Sequence, residues 1–171
     1  MTCGRKAQLV LALSVVAVSS AALATGTTVR LGDASVRFDR ARWQASVSHD
    51  SISFAPQGEA ARELDPVVLH VVAEDATCAA LAVRAYEFGH YDASDIEPAA
   101  AAVGGLSAER FAAHTGCRNA TPQGVILCVK RGSRTYLLQA LQAGCGGRNL
   151  FSGIDPLVEI TSGITFARDT R

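Results

Sequence analysis

The stretch Gly124–Leu141, GVILCVKRGSRTYLLQAL, decides the fold of this chain. It contains two runs, 124–131 and 134–141, that are rich in apolar side chains. The residues between them, Gly132 and Ser133, form the short glycine-containing connection that is typical of a tight β-hairpin. The stretch therefore predicts an antiparallel strand pair around which a larger sheet can form.

Further strand patterns lie on both sides of this hairpin. The run Val67–Ala73 is apolar except at His70, so it predicts a central strand that is covered on both faces. The region Ala45–Phe54 alternates apolar and polar residues and predicts one strand with a solvated face and a bulge near Asp50. The remaining predicted strands are Thr28–Leu31, Ser35–Phe38, Leu106–Thr115 and Ile164–Phe166.

Three helices are predicted between and after these strands. Thr77 is suited to cap a helix over Cys78–Phe88, where apolar residues recur every three or four positions. The Ala-rich segment Asp92–Val103 predicts a second helix, and Asp155-Pro156 begins a third that ends at Gly163. These elements predict the α+β class, as an antiparallel β-sheet flanked by helices in an α/β/α sandwich.

The start of the chain has the layout of a signal peptide. Arg5 and Lys6 give a positive start, Leu9–Val18 is an apolar core, and Ala22-Leu23-Ala24 is the small-x-small triplet of a cleavage site. An uncleaved membrane anchor is the alternative, but about twenty apolar residues are needed to span a bilayer. The sequence therefore predicts a signal peptide over residues 1–24 and a single mature domain over residues 25–171.

Composition and charge exclude two classes of partner. The 171 residues include 16 basic and 16 acidic side chains, so no overall positive field attracts nucleic acid or an anionic membrane. Since no later stretch has the length of a membrane span, stable insertion after signal removal is not expected. The leader, together with an Arg- and Ala-rich composition, predicts a bacterial protein that is periplasmic or secreted.

The mature chain keeps four cysteines, and an even number of thiols in an oxidising compartment predicts two disulfides. Three pairings are open. If the hairpin strands pair symmetrically about their turn, Cys145 lies beyond the strand end near Cys117. Cys128 then lies in mid-strand, on a face that a helix beginning at Cys78 can reach. This register favours Cys117–Cys145 with Cys78–Cys128. A metal or redox site is the alternative, but C-x-x-C and zinc-like spacings are absent from the sequence.

The sequence carries no motif of a known catalytic chemistry. G-x-S-x-G, G-K-[ST] and H-E-x-x-H are all absent, so no cofactor is expected and an enzyme is the less favoured class. His70 lies between Val68 and Val72 on one strand face, where a hydrogen-bonded core histidine is the ordinary interpretation. The alternative is a cleft near His70, Glu74 and His90 that belongs to a small periplasmic enzyme or a ligand- or metal-binding protein.

Three basic residues, Lys130, Arg131 and Arg134, gather at the predicted hairpin tip. Like charges repel there unless an anion or an acidic partner lies nearby. The ordinary interpretation is a charged edge that keeps the sheet soluble. The alternative hypothesis is a docking surface for an acidic partner protein.

The order of the elements resembles the PsbP/DcrB-like α/β/α sandwich. The shared layout comprises an opening hairpin, Arg42-Trp43, a strand ending in Ile52-Ser53-Phe54, a central strand, a middle helix, GLSAERFAA at 105–113, the hairpin quoted above, and a closing helix before Ile164-Thr165-Phe166. The resemblance covers most of the mature chain and implies a non-enzymatic accessory or adaptor role. The favoured function is an exported accessory module that acts through protein–protein contacts, with the cleft near His70 as the alternative.

Overall fold

The computed structural model describes residues 26–62, 64–88, 96–113, 124–141 and 156–168. The described strands are β1 (Gly26–Leu31), β2 (Ala34–Asp39), β3 (Trp43–Val47), β4 (Ser51–Pro56), β5 (Val67–Val72), β6 (Ala99–Val103), β7 (Leu106–Ala113), β8 (Gly124–Arg131), β9 (Arg134–Leu141) and β10 (Ile164–Phe166). The described helices are α1 (Cys78–Phe88), α2 (Pro156–Ser162) and a short 3₁₀ helix, Gly58–Arg62. The protein belongs to the α+β class, with mostly antiparallel sheet.

The hairpin at 124–141 forms β8 and β9 in the interior of a seven-stranded sheet. The order of this sheet is β3-β4-β5-β9-β8-β7-β6, and its strands pair in antiparallel fashion. Arg131 faces Arg134, which confirms the register predicted from the sequence. β5 pairs with β4 and β9, which confirms the apolar run at Val67 as an interior strand. The predicted cover on both faces is corrected, because Val68, His70 and Val72 are only partly buried.

Side chains of β8 alternate between two separate cores. Val125, Leu127 and Val129 belong to a core that also holds buried residues of β2, β4, β5 and α2. Ile126 and Cys128 belong to a second core, with residues of α1 and β7. These five successive residues are at most 7% exposed, so the seven-stranded sheet is the middle layer of the fold.

A three-stranded sheet and α2 together cover the first face of the large sheet. The small sheet has the order β1-β2-β10, and Val36 and Phe38 of β2 lie in the core that it shares with the large sheet. The buried Tyr136 of β9 ties the sheets together, because its hydroxyl oxygen accepts a hydrogen bond of 2.9 Å from the N–H of Asp33. Helices thus lie on both faces of the large sheet, as expected, but the prediction of a single sheet is corrected, because this face also carries a second, three-stranded sheet.

Helix α1 covers the second face. Its N-terminus is capped as predicted, since the N–H of Ala80 donates to Oγ1 of Thr77 over 3.1 Å. A disulfide joins Cys78 to Cys128, with 5.8 Å between the two Cα atoms, and this pairing is the one that the hairpin register favours. Near the other end, the hydroxyl of Tyr86 donates toward the carbonyl oxygen of Phe111 at 2.9 Å. The helix is thus attached to the sheet near both of its ends.

The Ala-rich helix predicted over Asp92–Val103 is wrong in its described part. Ala99–Val103 forms β6 and pairs with β7, with Val103 facing Leu106. Gly104 and Gly105 have φ of 58° and 81°, which are the left-handed conformations that a two-residue hairpin turn requires. The turn folds the segment back onto β7, and pairing in the sheet outweighs the small intrinsic helix preference of alanine.

The single strand predicted over Ala45–Phe54 is also corrected. Two strands, β3 and β4, form a hairpin there, and the N–H of Ser48 donates to the carbonyl oxygen of Ser51 over 2.8 Å to close the turn. The apolar positions shift from odd numbers (Ala45, Val47) to even numbers (Ile52, Phe54) across the turn. A bulge near Asp50 gives the same shift, so the pattern alone does not distinguish a bulged strand from a chain reversal.

Several predictions concern segments outside the described residues. These are the signal peptide over 1–24, most of the region around His90, and the Cys117–Cys145 pair. None of the helices within the described ranges is long and apolar enough to cross a membrane.

Replacing Cys78 and Cys128 together by alanine is expected to lower the free energy of unfolding by about 2–4 kcal/mol. The bridge restricts the unfolded chain across a sequence separation of 50 residues and fixes α1 to the sheet. Urea unfolding of the oxidised proteins measures the difference, and equal stability of the variant and the natural chain contradicts the prediction.

A reductant extends the same experiment to the second predicted bridge. If Cys117 and Cys145 are joined, the Cys78→Ala/Cys128→Ala protein loses further stability on reduction. If reduction leaves its unfolding curve unchanged, the predicted Cys117–Cys145 bridge is wrong.

Candidate functional site

A groove lies beside α1 on the second face of the large sheet, and we call it the His70 groove. Helix α1 packs on β7 and β8. A helix about 10 Å across covers roughly two strands spaced about 4.8 Å apart, so β9 and β5 keep part of this face uncovered. The groove that results has a volume of about 380 Å³.

The floor of the His70 groove is apolar and its rim is polar. Leu81 of α1 and Leu137 of β9 form the floor and are 3% and 4% exposed. The polar residues of the lining are Asp50, His70, Arg84 and Gln139. Phe88, the last residue of α1, lines the same groove and is 90% exposed. A large aromatic side chain is therefore held in water next to an apolar surface.

In the strands that α1 leaves partly uncovered, the alternation of polar and apolar residues agrees with which side chains are exposed. In β4 the partly exposed Ser51 and Ser53 alternate with the buried Ile52 and Phe54, and Ser51 faces His70 of β5. The hydroxyls and the imidazole thus lie on the α1 side of the sheet, in the part of that face that the helix does not cover. This is the solvated face that the alternating pattern predicts.

His70 is partly buried in the groove wall. Burial lowers the pKa of its imidazole below 6.5, and the nearby carboxylate of Asp50 partly opposes this shift. The N–H of Val71 donates to the carbonyl oxygen of Asp50 over 2.8 Å, which holds the Asp50 turn against β5. At neutral pH the imidazole is therefore neutral and offers one donor and one acceptor nitrogen to an occupant of the groove.

Glu74 and Arg84 form a two-pronged ion pair at the rim. Nη1 and Nη2 of Arg84 donate to the two carboxylate oxygens of Glu74 over 2.9 and 3.0 Å. The hydrogen bonds from Arg84, and then its charge, lower the pKa of the Glu74 carboxyl. Glu74 is therefore ionised at neutral pH and orients Arg84 rather than donating a proton.

The structure brings together part of the predicted cleft. His70 lines the groove, and Glu74 reaches its rim through Arg84, whereas His90 lies outside the described residues. Within the described ranges no group of three or more His, Cys, Asp or Glu residues is placed to hold a metal ion. The described lining of the groove carries no hydroxyl, thiol or amine side chain.

The three basic residues of the hairpin tip do not share one surface. Nη1 of Arg134 lies 2.9 Å and Nε of Arg131 lies 3.7 Å from the carboxylate of Asp33 in the β1–β2 turn. Arg131 also donates to the carbonyl oxygen of Ala167 and lies over the ring of Phe166. Strand alternation places Lys130 on the opposite face, with Cys128. The anion expected near these charges is thus supplied partly by the chain itself.

Several residues of these sites carry no signal in the sequence. Asp33 approaches Arg134 across 101 positions of the chain, and Glu74 approaches Arg84 across 10 positions that include a loop and the start of a helix. Neither pair has a short, regular sequence spacing, such as i to i+4 in a helix, from which a contact can be predicted. The exposure of Phe88 likewise depends on where α1 ends relative to the sheet.

No protein-family model matches this chain, and comparison with curated proteins gives no match either. The resemblance to PsbP/DcrB-like proteins therefore stays a prediction that rests on the order of the elements.

His70→Gln is expected to reduce the loss of stability at acid pH. Because the pKa of folded His70 is lowered, the unfolded chain binds a proton first as the pH falls below about 6.5. The free energy of unfolding then falls until the folded imidazole is also protonated, and above this range the group contributes nothing. Urea midpoints at about pH 7.5 and about pH 5.5 measure the effect. His49→Gln, at an exposed position, is the control, and an unaltered pH dependence in His70→Gln contradicts the assignment.

Replacing Arg131 and Arg134 together by glutamate is expected to lower the urea midpoint, because two new carboxylates then face Asp33. Lys130→Glu, on the other face, is expected to leave the midpoint nearly unchanged. Equal effects of the two variants would contradict the placement of Lys130 on the opposite face of the sheet from Arg131 and Arg134. Lys130→Glu is therefore the sharper variant for testing the predicted acidic partner, since it alters charge without removing an internal ion pair.

Proposed function

We propose that this protein is an exported accessory module, not an enzyme, and that it binds a segment of a partner polypeptide in the His70 groove. The observation that carries this proposal is the apolar floor of the groove with the exposed Phe88 at its edge. Apolar patches rimmed by polar groups mark sites of interaction, and aromatic residues are enriched at protein interfaces.

The lining favours a partner segment that inserts one apolar side chain. Leu81, Ala85 and Leu137 offer an apolar surface for that side chain. The neutral imidazole of His70 and the amide of Gln139 can exchange hydrogen bonds with the main chain of the partner. Lys130 is exposed on the same face of the sheet, which supports an acidic residue in the partner next to the apolar one.

Two observations support export. The Cys78–Cys128 disulfide is compatible with an oxidising compartment, where such bonds persist. The predicted leader over residues 1–24 supplies the route to that compartment, and we place the mature protein in the periplasm or outside the cell. An accessory role also agrees with what the PsbP/DcrB-like layout implies.

A small-molecule ligand is the second candidate occupant, because the volume of about 380 Å³ lies within the roughly 300–1,000 Å³ of known ligand sites. Native mass spectrometry of protein purified from its own compartment distinguishes the two. A retained mass increment that is lost on Leu137→Trp, which fills the groove, supports the small ligand.

A photo-crosslinking residue placed at position 88 is expected to form a discrete adduct with a partner protein in intact cells. The exposed Phe88 lies within reach of anything bound in the groove. Mass spectrometry identifies the adduct. Ala85→Glu, which places a charge in the groove, is expected to abolish it.

The matched control is the same photo-crosslinking residue at position 158. Val158 is an apolar residue that is 59% exposed on α2, on the other side of the sheet. Adducts of the same mass from positions 88 and 158, or an adduct that survives Ala85→Glu, would show that the partner does not occupy the His70 groove.

A further inference from the structure

A second concave site lies on the opposite side of the large sheet, and we call it the Trp43 cleft. It opens where β1 and β2 of the small sheet face β3, the edge strand of the large sheet, and its volume is about 670 Å³. β1 lies beside β3 but belongs to a separate sheet, so the two layers diverge there. The cleft is distinct from the His70 groove, and the described linings of the two sites have no residue in common.

Trp43 is the buried base of this cleft. Its side chain is 2% exposed, and its Nε1–H has no hydrogen-bond partner among the described residues. An indole N–H can only donate, so the group lacks an acceptor in a region where water is largely excluded. Trp43 also borders a smaller cavity of about 70 Å³ that reaches Glu159. Oε2 of Glu159 lies 3.0 Å from Nη2 of Arg42 but, like Nε1 of Trp43, has no hydrogen-bond partner among the described residues. The cleft is the larger of the two spaces from which an acceptor can approach.

The lining of the Trp43 cleft is rich in donors and carries positive charge. Its polar side chains are Thr27, Arg40, Trp43, Gln44 and Gln57, and Arg40 is the one charged residue among the described lining. Of the neighbouring charged residues, Asp39 accepts a hydrogen bond from the N–H of Ala41 over 2.9 Å and does not line the cleft, and Arg42 pairs with Glu159. The exposed guanidinium of Arg40 therefore faces the cleft without a carboxylate from the described lining.

We propose that the Trp43 cleft binds a small, hydroxylated carboxylate, of which an acidic sugar is the representative. A carboxylate complements Arg40, and hydroxyl groups can both accept from and donate to the carboxamides of Gln44 and Gln57. A ring oxygen or hydroxyl oxygen supplies the acceptor that Nε1 of Trp43 lacks. The volume of about 670 Å³ lies within the roughly 300–1,000 Å³ of known ligand sites.

The chain contains a single tryptophan, so fluorescence excited selectively from tryptophan reports on Trp43. Titration of the mature protein with glucuronate is expected to change the fluorescence of Trp43 saturably, whereas glucose, which lacks the carboxylate, binds more weakly. Arg40→Gln is expected to raise the dissociation constant for glucuronate about tenfold or more, because it removes a charge-assisted hydrogen bond. Arg37→Gln is the matched control, since Arg37 is exposed on β2 but does not line the cleft.

Side-chain amide signals of Gln44 and Gln57 in NMR spectra provide a second readout in the same titration. The proposal is overturned if neither the fluorescence nor these amide signals respond saturably to glucuronate. It is also overturned if glucose binds as tightly as glucuronate, or if Arg40→Gln and Arg37→Gln have equal effects. Ala85→Glu alters the His70 groove but not the Trp43 cleft. Glucuronate binding by this variant therefore tests the cleft independently of whether a polypeptide binds in the groove.

Discussion

Burial of β8 on both faces is the constraint on which the rest of the structure depends. Its side chains alternate between two cores, so each face of the sheet needs a covering layer. Helix α1 provides one layer, and the small sheet with α2 provides the other. Apolar burial contributes roughly 25 cal/mol per Å², so displacing either layer costs stability in proportion to the core that it exposes.

The size of these layers determines where concave sites arise. Helix α1 has 11 residues and is therefore about 16 Å long, whereas seven strands spaced about 4.8 Å apart span roughly 29 Å between the outer strands. One helix leaves part of such a sheet uncovered, and the His70 groove lies there. On the other face the three-stranded sheet diverges from the edge strand β3, and the Trp43 cleft lies in the gap. Both sites follow from layers that are narrower than the sheet.

Local patterns predict much of this fold, and long-range geometry explains the rest. The register of β8 and β9 follows from one glycine-containing turn, and that register in turn indicates that Cys128 can reach Cys78. The helical preference of Ala99–Val103 misleads because pairing with β7 outweighs local propensity. His70 is recognisable as a candidate from its place on an apolar strand. Arg84 and Phe88 are not, because their roles depend on how far α1 extends across the sheet.

The attachment of α1 makes the His70 groove a preformed site. The disulfide at Cys78 fixes the start of the helix, and the hydroxyl of Tyr86 binds the sheet only two residues before Phe88. A wall that is fixed at both ends loses little conformational freedom when a partner binds, so less of the interaction energy is offset by ordering. Disulfides form and persist in oxidising compartments, so under the proposed export the groove becomes rigid in the compartment where the proposed partner is encountered. The two proposals, export and binding, then depend on the same covalent bond between α1 and β8.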